Sequence, residues 1–497
     1  MTLNKKNANK IDEQLLSGIG VHFIGIGGVS MSGIAEALHR KGYLVSGSDT
    51  ASGTDNGYIN RLKDLGIKVY HGHDAENVAD DVKLVVKTST VPSENPEIME
   101  AARRGIDVID RWQMLDCIIS GYKTRIGVIG SAGKTTTTAL AWHFFTQNHL
   151  PTSIVLGSVL NQAKSSVVLE DGEICIIETD ESDASFAELN LNAGVFVRIE
   201  GDHLEHKKYG GSKEKLLEYF RMSIRSLVEK NAPIVYLSDC PDLAKLIKEE
   251  CVDRGYQNLR SYSASDEGAD FFASNVKNAG FGVTFDLNVS DGQVVTDVKL
   301  PMIGVYNVQN AIAGIAMLSL VSSIDINVHD GFYSFAGVDK RLSILGECGN
   351  FTIIDDYAHS PLKIRNLLSE FKGYCDENAF NAIYVFEPHK YSRVENLYKE
   401  YMSCLPERAF VLVMDIFGVS GYQNGNQKIT TESFVADLQQ NNPTCKIEYC
   451  KNSNLQSRLA RETQEERYSA AEHNFILFFG AGLSSKYAKE AVVFLNK

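Results

Sequence analysis

Residues 21–50 read VHFIGIGGVSMSGIAEALHRKGYLVSGSDT, and this pattern predicts how the first part of the chain folds. The apolar run Val21–Ile24 leads into a glycine-rich loop, and an amphipathic segment then extends to Lys41. Gly42 is a typical residue at the end of a helix, and a second apolar run follows up to Asp49. A strand, a helix and a second strand in this order predict a βαβ unit.

The same alternation of apolar strands and helical segments continues along the chain. Strand patterns recur at KLVVKTST and DVID, in the middle of the chain at RIGVI, and near its end in NFTIIDDYAHSP and NFILFFGAG. The alternation predicts an α/β fold built on parallel, doubly wound sheets. Since 497 residues are too many for one core, we place domain boundaries near Gly121 and Asp325. The predicted domains are residues 1–120, 121–325 and 326–497.

A second glycine-rich loop follows the strand RIGVI and opens another helical segment. In its sequence, GSAGKT, Gly130 and Gly133 let backbone N–H groups approach a phosphate, and Lys134 supplies positive charge. Thr135 is placed to bind Mg²⁺, and Thr136 follows at a helix start although threonine is a poor helix former. The pattern predicts a phosphate-binding loop. The alternative is a simple turn between a strand and a helix.

The N-terminal loop, GIGGVSMSG, allows two interpretations from its residues alone. It has Gly25 and Gly27, but Ser30 stands where the dinucleotide-binding fingerprint has its third glycine. Asp49 ends the second strand, near the place where an acidic residue would meet a ribose hydroxyl. A nicotinamide cofactor fits this pattern, and so does another diphosphate such as that of a UDP-sugar.

Two strand ends in the middle of the chain carry candidate metal ligands. Glu178 ends the strand of IIETDESD, and His203 follows the strand that leads into EGDHLE. With Thr135 and nucleotide oxygens, they would form a mostly oxygen ligand set suited to Mg²⁺ or Mn²⁺. A histidine at such a place is otherwise a hydrogen-bonded surface residue.

Composition and charge exclude several classes of partner. The net charge of −14 argues against nucleic acid and against an acidic membrane surface, because both require clustered lysine and arginine. The first residues lack the apolar segment of a signal peptide, and no apolar run is long enough to span a membrane. The nine scattered cysteines without a CxxC pair are typical of reduced thiols, so we expect a cytoplasmic protein.

Taken together, these motifs resemble those of the Mur ligases, ATP-dependent enzymes that form amide bonds in peptidoglycan precursor synthesis. The resemblance extends from Val21 to Lys489, and its most specific elements are HFIGIGGVSMSGIAEAL, GSD, GKTTT, ETDESDASF, IEGDH, YNVQNA, FAGVDKR, DDYAHSP, PHKYSR and GAG, in that order. It implies three domains. These are an N-terminal Rossmann-like domain for a UDP-sugar, a central P-loop ATPase-like domain with a parallel sheet, and a C-terminal Rossmann-like domain.

The resemblance also implies a reaction. ATP, with Mg²⁺ or Mn²⁺, would activate the lactyl carboxylate of UDP-N-acetylmuramate as an acyl phosphate, which the amine of an amino acid would then attack. We expect that amino acid to be L-alanine and the protein to be a monomer or homodimer. Two alternatives stay open: a ligase for another amino acid or peptide, and a non-catalytic subunit that binds a nucleotide or UDP-sugar.

Site residues follow from the resemblance position by position. The UDP-sugar residues are Gly25, Gly27, Gly28, Asp49, His73 and Ser89. The ATP residues are Gly130, Gly133, Lys134, Thr135, Thr136, Asn307, Asn310, Arg341 and Asp355. The metal ligands are Thr135, Glu178 and His203. The amino-acid residues are Tyr357, His359, Lys390 and Arg393. The catalytic residues are Lys134, Glu178, His203, His359 and Arg393. Without the resemblance, Asn307 and Asn310 also fit a helix cap. Lys390 and Arg393 likewise fit an ordinary solvated surface.

The chain departs from the family pattern at several positions. Ser131 and Ala132 stand where threonine and histidine are usual, and Arg198 stands where asparagine is usual. Ser360 replaces the second histidine of a His-His-Pro motif, and Lys390 replaces an arginine. Lysine keeps the charge but loses the bidentate fork toward a carboxylate. Because the departures gather near the amino-acid pocket and the metal ligands, they leave the amino acid less constrained than the reaction.

Overall fold

The computed structural model describes most of the chain. The described residues are 19–51, 56–88, 90–182, 184–201, 204, 206–322, 326–329, 331–418, 429–469 and 471–496. Their strands form sheets of five, ten and six strands. The described residues up to Pro301 join Tyr306–Ala336 in one compact unit, while Met302–Val305 and the residues from Gly337 onward form a second. The domain limits at residues 120 and 325 stay a prediction.

The first sheet is parallel throughout and carries four helices. Its strands are β1 (Gly20–Ile24), β2 (Leu44–Asp49), β3 (Lys68–His71), β4 (Val82–Lys87) and β5 (Asp107–Asp110). Its helices are α1 (Val29–Arg40), α2 (Gly57–Asp64), α3 (Pro96–Arg104) and α4 (Arg111–Ser120). The strand order is β3-β2-β1-β4-β5, with every neighbouring pair parallel. This order confirms the predicted N-terminal Rossmann-like fold.

The strand order positions the first glycine loop. Strand β1 lies between β2 and β4, so the chain connections run away from it in both directions. In open parallel sheets a ligand binds beyond the strand ends at such a point of reversal. The loop that follows β1 is therefore at the place where this fold binds ligands.

The second sheet has ten strands. They are β6 (Thr124–Ile129), β7 (Thr152–Leu160), β8 (Ser165–Val168), β9 (Ile174–Glu178), β10 (Ala193–Phe196), β11 (Ile234–Leu237), β12 (Leu259–Ser263), β13 (Phe271–Asn278), β14 (Val283–Val289) and β15 (Val294–Leu300). The helices that follow in this region are α5 (Lys134–Gln147), α6 (Lys213–Glu229), α7 (Pro241–Glu250) and α8 (Val305–Val321). The strand order is β15-β14-β13-β12-β11-β10-β6-β9-β7-β8.

Both edges of this sheet are antiparallel, a feature that the strand and helix pattern did not predict. The strands from β13 to β7 along the sheet pair in parallel, whereas β14, β15 and β8 pair antiparallel to their neighbours. The connections that lead to these three strands are short, and a parallel connection needs a crossover of about a dozen residues or more. Short turns therefore impose antiparallel pairing at the edges.

The third sheet belongs to the second unit. Its strands are β16 (Ser343–Cys348), β17 (Phe351–Asp356), β18 (Asn381–Phe386), β19 (Phe410–Val413), β20 (Lys446–Tyr449) and β21 (Asn474–Phe479). Its helices are α9 (Pro361–Glu377), α10 (Tyr391–Asn396), α11 (Tyr398–Tyr401), α12 (Thr431–Asn441), α13 (Leu455–Glu462), α14 (Glu466–Ser469) and α15 (Ser484–Leu495). The order is β16-β17-β21-β18-β19-β20, and only β16 pairs antiparallel. Within the described ranges, no helix is both long and apolar enough to cross a membrane.

Helix α1 packs closely on β8 and so joins the first two sheets. A Cβ added to Gly33 would lie 2.0 Å from Ser166 Oγ and 3.1 Å from Val167 Cγ2. The Ser166 hydroxyl donates a hydrogen bond to the carbonyl oxygen of Val29 at 2.9 Å. Only a glycine leaves room for this approach of helix to strand.

We expect Gly33→Ala to lower the free energy of unfolding of the first unit by about 1–3 kcal/mol, because the added methyl group displaces the Ser166 hydroxyl. Both tryptophans, Trp112 and Trp142, lie in this unit, so urea unfolding followed by tryptophan fluorescence measures the effect. Gly57→Ala is the matched control, since a Cβ there meets no atom within 4 Å.

The cause of the loss is tested by a double-mutant cycle with Ser166→Ala. Removing the hydroxyl makes room for the methyl group, so Gly33→Ala should cost less in the Ser166→Ala background than in the wild type. Equal costs in the two backgrounds, or a Gly33→Ala protein as stable as the wild type, would contradict the close packing of α1 on β8.

Candidate functional site

The loop between β6 and α5 takes its shape from the segment that follows β10. The backbone N–H groups of Ser131 and Ala132 donate to the carbonyl oxygen of Arg198 at 2.8 and 3.3 Å. A Cβ on Gly130 would lie 3.0 Å from that same oxygen, and Gly133 has a φ of +87°. Both glycines are therefore required by the backbone. Arg198 contacts the loop through its carbonyl oxygen. This main-chain contact does not depend on whether the side chain is arginine or asparagine.

Lys134, the first residue of α5, forms an ion pair with the carboxylate of Glu181. The Lys134 and Glu181 side chains are only 11% and 6% exposed. Burial raises the pKa of Glu181, and the neighbouring ammonium group offsets this only in part. Sequence reasoning missed Glu181, although it lies three residues after Glu178 in the motif ETDESDASF.

Thr135 and Glu178 meet beside the loop. The Thr135 hydroxyl donates to Glu178 Oε1 at 2.6 Å, and the Gly157 N–H donates to Glu178 Oε2 at 2.6 Å. A hydroxyl and a carboxylate provide the oxygen donors that a hard cation such as Mg²⁺ prefers. The third predicted ligand, His203, lies outside the described residues, and the described residues contain no cluster of three His, Cys, Asp or Glu side chains suited to a metal. The donor chemistry of the Thr135–Glu178 pair fits a magnesium ion.

The two asparagines of YNVQN lie inside α8, next to the phosphate loop. Asn310 Oδ1 accepts a hydrogen bond from the Thr137 hydroxyl at 3.0 Å, and Asn310 Nδ2 donates to Asn307 Oδ1 at 3.3 Å. A Cβ on Gly133 would lie 3.0 Å from Asn310 Oδ1. Thr136, on the first turn of α5, is also buried. Asn310 thus joins α8 to α5, and Asn307 is hydrogen-bonded to Asn310.

The first glycine loop is held by the residue predicted to contact a ribose. Gly25 has a φ of +81°, and the Gly28 N–H donates to the Gly25 carbonyl at 3.3 Å. Asp49 Oδ2 accepts from the Gly27 N–H at 2.8 Å, and Asp49 Oδ1 accepts from the Ala51 N–H at 2.8 Å. In this structure Asp49 therefore stabilises the loop through hydrogen bonds to backbone N–H groups.

His73 belongs to a buried polar network at the end of the same sheet. Its Nδ1 lies 2.9 Å from Ser48 Oγ and 3.1 Å from Glu97 Oε2. Glu97 is fully buried and also accepts a hydrogen bond from Asn77 Nδ2 at 2.7 Å. Although burial opposes ionisation, the neighbouring His22 and the hydrogen bonds from Asn77 and Ser48 lower the pKa of Glu97. The sixth predicted UDP-sugar residue, Ser89, lies outside the described residues.

In the second unit, β17 ends in two adjacent buried aspartates. Asp355 accepts a hydrogen bond from the Ser485 hydroxyl through Oδ2, while its buried Oδ1 has no hydrogen-bond partner among the described residues. Burial raises the pKa of Asp355 to about 7. Asp356 instead accepts from the N–H groups of Leu342 and Ala358 at 2.9 and 2.8 Å. Asp356 therefore orders the backbone around Asp355.

Two cations lie beside Tyr357. The Arg341 guanidinium carbon is 5.9 Å and the Lys340 ammonium is 6.0 Å from the centroid of the Tyr357 ring. Tyr357 is 39% exposed, so one side of the ring remains open to solvent. This arrangement places Arg341 and Tyr357 on the same side of the second unit as the end of β17.

The remaining predicted amino-acid residues surround a pair of histidines. His359 Nδ1 lies 2.8 Å from the Tyr357 carbonyl oxygen, and the His359 and His389 rings are 5.8 Å apart. Burial lowers the pKa of His359 to about 3 and that of His389 to about 4, so both are neutral at pH 7. Arg393 Nη1 is 3.0 Å from His389 Nδ1, and Lys390 adopts a φ of +65° just before α10. Sequence reasoning missed His389, although PHKYSR contains it.

Glu387 is a second residue of this unit that sequence reasoning missed. It follows β18, and its carboxylate accepts hydrogen bonds from the N–H groups of Gly482, Leu483 and Ser484 at 2.9, 2.9 and 3.1 Å. These groups form the N-terminal end of α15, which attracts negative charge. Burial nevertheless raises the pKa of Glu387. The sequence signals that could have identified Glu387 were its acidic side chain just before PHKYSR and the glycines of GAG.

Two family models match the first two thirds of the chain. A model described as the Mur ligase family catalytic domain matches residues 20–123, and one described as the Mur ligase middle domain matches residues 128–318. These ranges contain the five-stranded sheet and the phosphate loop with α5.

Relatives named UDP-N-acetylmuramate–L-alanine ligase are similar over most of their length. The relative from Rhodospirillum rubrum is 35% identical over 402 residues, which is 80% of each chain. The relative from Rickettsia bellii is 30% identical over 478 residues, which is 95% of each chain.

Solved structures show the same fold. The crystal structure of UDP-N-acetylmuramate–alanine ligase from Thermotoga maritima has a TM-score of 0.74 at 24% identity, covering 96% of this chain and 98% of that one. A murein peptide ligase from Psychrobacter arcticus has a TM-score of 0.66 at 17% identity, covering 97% and 99%. The matched domains and the relatives at 30% identity or more establish that the chain belongs to the Mur ligase family.

Proposed function

We propose that this protein is an ATP-dependent ligase that joins L-alanine to the lactyl carboxylate of UDP-N-acetylmuramate in peptidoglycan precursor synthesis. The observation that supports it most strongly is the meeting of Lys134 with Glu181, and of Thr135 with Glu178, at the phosphate loop. The names of the relatives point to the same reaction. We place the reaction in the cytoplasm. We take the protein to be a monomer or homodimer. Its proposed domains are residues 1–120, 121–325 and 326–497.

The proposed reaction has two steps. An oxygen of the lactyl carboxylate attacks the γ-phosphorus of ATP, and ADP leaves with the electrons of the broken bond. The amine of L-alanine then attacks the acyl carbon, the tetrahedral intermediate expels phosphate, and the nitrogen loses its proton. Such chemistry depends on positioning and on stabilising the charge of the transferring group. Lys134, at the start of α5, would supply positive charge beside the phosphates.

The metal site of this proposal uses Thr135, Glu178 and His203. A bound Mg²⁺ or Mn²⁺ would neutralise phosphate charge during transfer. The Gly157 N–H binds one oxygen of Glu178, and the other oxygen accepts a hydrogen bond from the Thr135 hydroxyl.

The other predicted residues complete three sites. Those for the adenine and phosphates of ATP are Gly130, Gly133, Thr136, Asn307, Asn310, Arg341 and Asp355. Those for the UDP-sugar are Gly25, Gly27, Gly28, Asp49, His73 and Ser89. Those for the amino acid are Tyr357, His359, Lys390 and Arg393. In this proposal the cations Lys390 and Arg393 meet the amino-acid carboxylate, and neutral His359 contributes a hydrogen bond.

Phosphate release tests the proposed function directly. With ATP and Mg²⁺, release should require both UDP-N-acetylmuramate and L-alanine, and each standard amino acid is assayed in place of L-alanine. Phosphate release with a different amino acid would make that amino acid the substrate in place of L-alanine. The change in specificity would then be assigned to the surroundings of Ser360 and Lys390. A protein that binds ATP and UDP-N-acetylmuramate but releases phosphate with no amine would contradict the enzyme and favour a binding subunit.

Lys134→Ala should reduce kcat/KM for phosphate release by at least about 10²-fold, because a preorganised positive charge next to the transferring group is lost. Lys123→Ala is the control, since Lys123 is 75% exposed and pairs only with the equally exposed Glu173 among its described salt-bridge partners. A Lys134→Ala enzyme within about threefold of the wild type would contradict the assigned role, as losses that small are typical of residues outside the site.

Asp355 predicts a dependence of stability on pH. The pKa of Asp355 in the folded protein is about 7, above the usual value of an aspartate, so the native state binds an extra proton. The contribution of Asp355 to the stability of the second unit should therefore fall as pH rises from about 4 to about 7 and level off above, by about 1–3 kcal/mol in total. The lowered pKa values of His359 and His389 act in the opposite direction over an overlapping pH range. The stability difference between the wild type and Asp355→Asn should isolate this decline, because the other titrating groups are present in both proteins.

Hydrogen-exchange protection of β17, corrected for the intrinsic rate at each pH, measures this local stability in the full chain. Asp376→Asn serves as the control, because Asp376 is 63% exposed in the same unit. A stability difference between the wild type and Asp355→Asn that does not change with pH would show that Asp355 is ionised in the folded protein.

A further inference from the structure

Arg111 bridges the two glycine-loop regions of the first unit. It is the first residue of α4, and its Nη1 donates to Ser30 Oγ at 3.2 Å. Its Nη2 donates to Asp180 Oδ2 at 2.9 Å. The Arg111 side chain is 21% exposed, so most of it is shielded from solvent.

Ser30 carries one end of the bridge at the first glycine loop. It is the second residue of α1, directly after the loop that contains Gly25 and Gly28. The sequence singled out Ser30 because it replaces the third glycine of the dinucleotide fingerprint. A glycine there would have no hydroxyl, so this replacement supplies the acceptor for Arg111.

Asp180 carries the other end at the phosphate loop. Asp180 Oδ1 accepts hydrogen bonds from the Ser182 N–H at 3.0 Å and from the Ser182 hydroxyl at 2.6 Å, which fix the carboxylate. The next residue in the chain is Glu181, which pairs with Lys134. Contacts therefore run without interruption from Ser30 through Arg111 and Asp180 to the segment that holds Lys134.

We propose that Arg111 is a positioning residue that couples the UDP-sugar site to the ATP site by holding Ser30 and Asp180 at once. This inference rests on the proposed function, which places a diphosphate at the first loop and ATP at the second. A guanidinium group offers several donors in a rigid plane, so its two acceptors keep a fixed spacing. A ligand that fixes the conformation at the start of α1 also fixes the Asp180–Glu181 segment through Arg111. The second ligand then binds a site that is already ordered.

The alternative role for Arg111 is a plain ion pair between the first two sheets. The chain offers a comparison in Lys41, whose Nζ lies 2.7 Å from Asp171 Oδ1 in a more exposed ion pair. That pair also connects the region of α1 with the ten-stranded sheet, but it lies outside both glycine loops. A role in stability alone predicts that the coupling of the two ligands survives the loss of either pair, whereas the proposed role predicts its loss only at Arg111.

The experiment is isothermal titration calorimetry on the full chain with UDP-N-acetylmuramate and a non-hydrolysable ATP analogue with Mg²⁺. Each ligand is titrated alone and again with the other at saturation, and the ratio of the two Kd values measures the coupling. We expect a ratio of about 5-fold or more in the wild type and in Lys41→Ala, and below about 2-fold in Arg111→Lys and Ser30→Ala. Arg111→Lys keeps the charge but loses the fork, and Ser30→Ala keeps Arg111 itself.

The outcomes separate the inference from the proposed function. Coupling that persists in both Arg111→Lys and Ser30→Ala, or that falls equally in Lys41→Ala, would overturn the role of Arg111. A wild-type protein that binds both ligands with no coupling would overturn it too, while the proposed ligase would stand. A wild-type protein that binds neither ligand would overturn both.

Discussion

Parallel pairing of β10, β6 and β9 is the constraint on which the phosphate-loop site depends. Phe196 pairs with Ile129, and Val128 pairs with Glu178, so the three strands end at one edge of the sheet. The residues that follow them must then meet there. A register slip of one residue in β9 would turn Glu178 to the other face and remove it from Thr135.

The charges at this edge satisfy one another within the protein. The buried Lys134 ammonium has the Glu181 carboxylate as its partner, and Asp180 has Arg111. A buried charge without a partner would be far more costly than a paired one. A phosphate that reaches Lys134 competes with the Glu181 carboxylate for the same ammonium group. The same segment therefore serves the stability of the loop and its response to a ligand.

In the second unit, cationic side chains lie beside neutral imidazoles. His359 and His389 are uncharged at pH 7 because burial lowers the pKa of each, so the positive charge of this region resides on Lys390 and Arg393. Lys390 holds a positive φ that costs a non-glycine residue about 1–3 kcal/mol and is typical of functional sites. The lysine at this position has one ammonium group where the family has a guanidinium, which gives a carboxylate partner less directional recognition.

Local pattern was enough to predict much of the fold. The sequence alone indicated a strand at DVID, and the structure has β5 at those residues, Asp107–Asp110. It also indicated the two glycine loops and the carboxylates at strand ends, because strand and helix periodicity and glycine-rich turns are properties of neighbouring residues.

What the tertiary structure decided was which side chains meet. The pairing of Lys134 with Glu181 and the bridge of Arg111 to Ser30 and Asp180 join residues 47 to 81 positions apart. The commitment of Asp49 to the Gly27 N–H is likewise a contact across the sheet. The antiparallel edges of the second sheet also depend on which strands become neighbours. Spacing along the chain does not encode these contacts, because strand order and register alone bring such residues together.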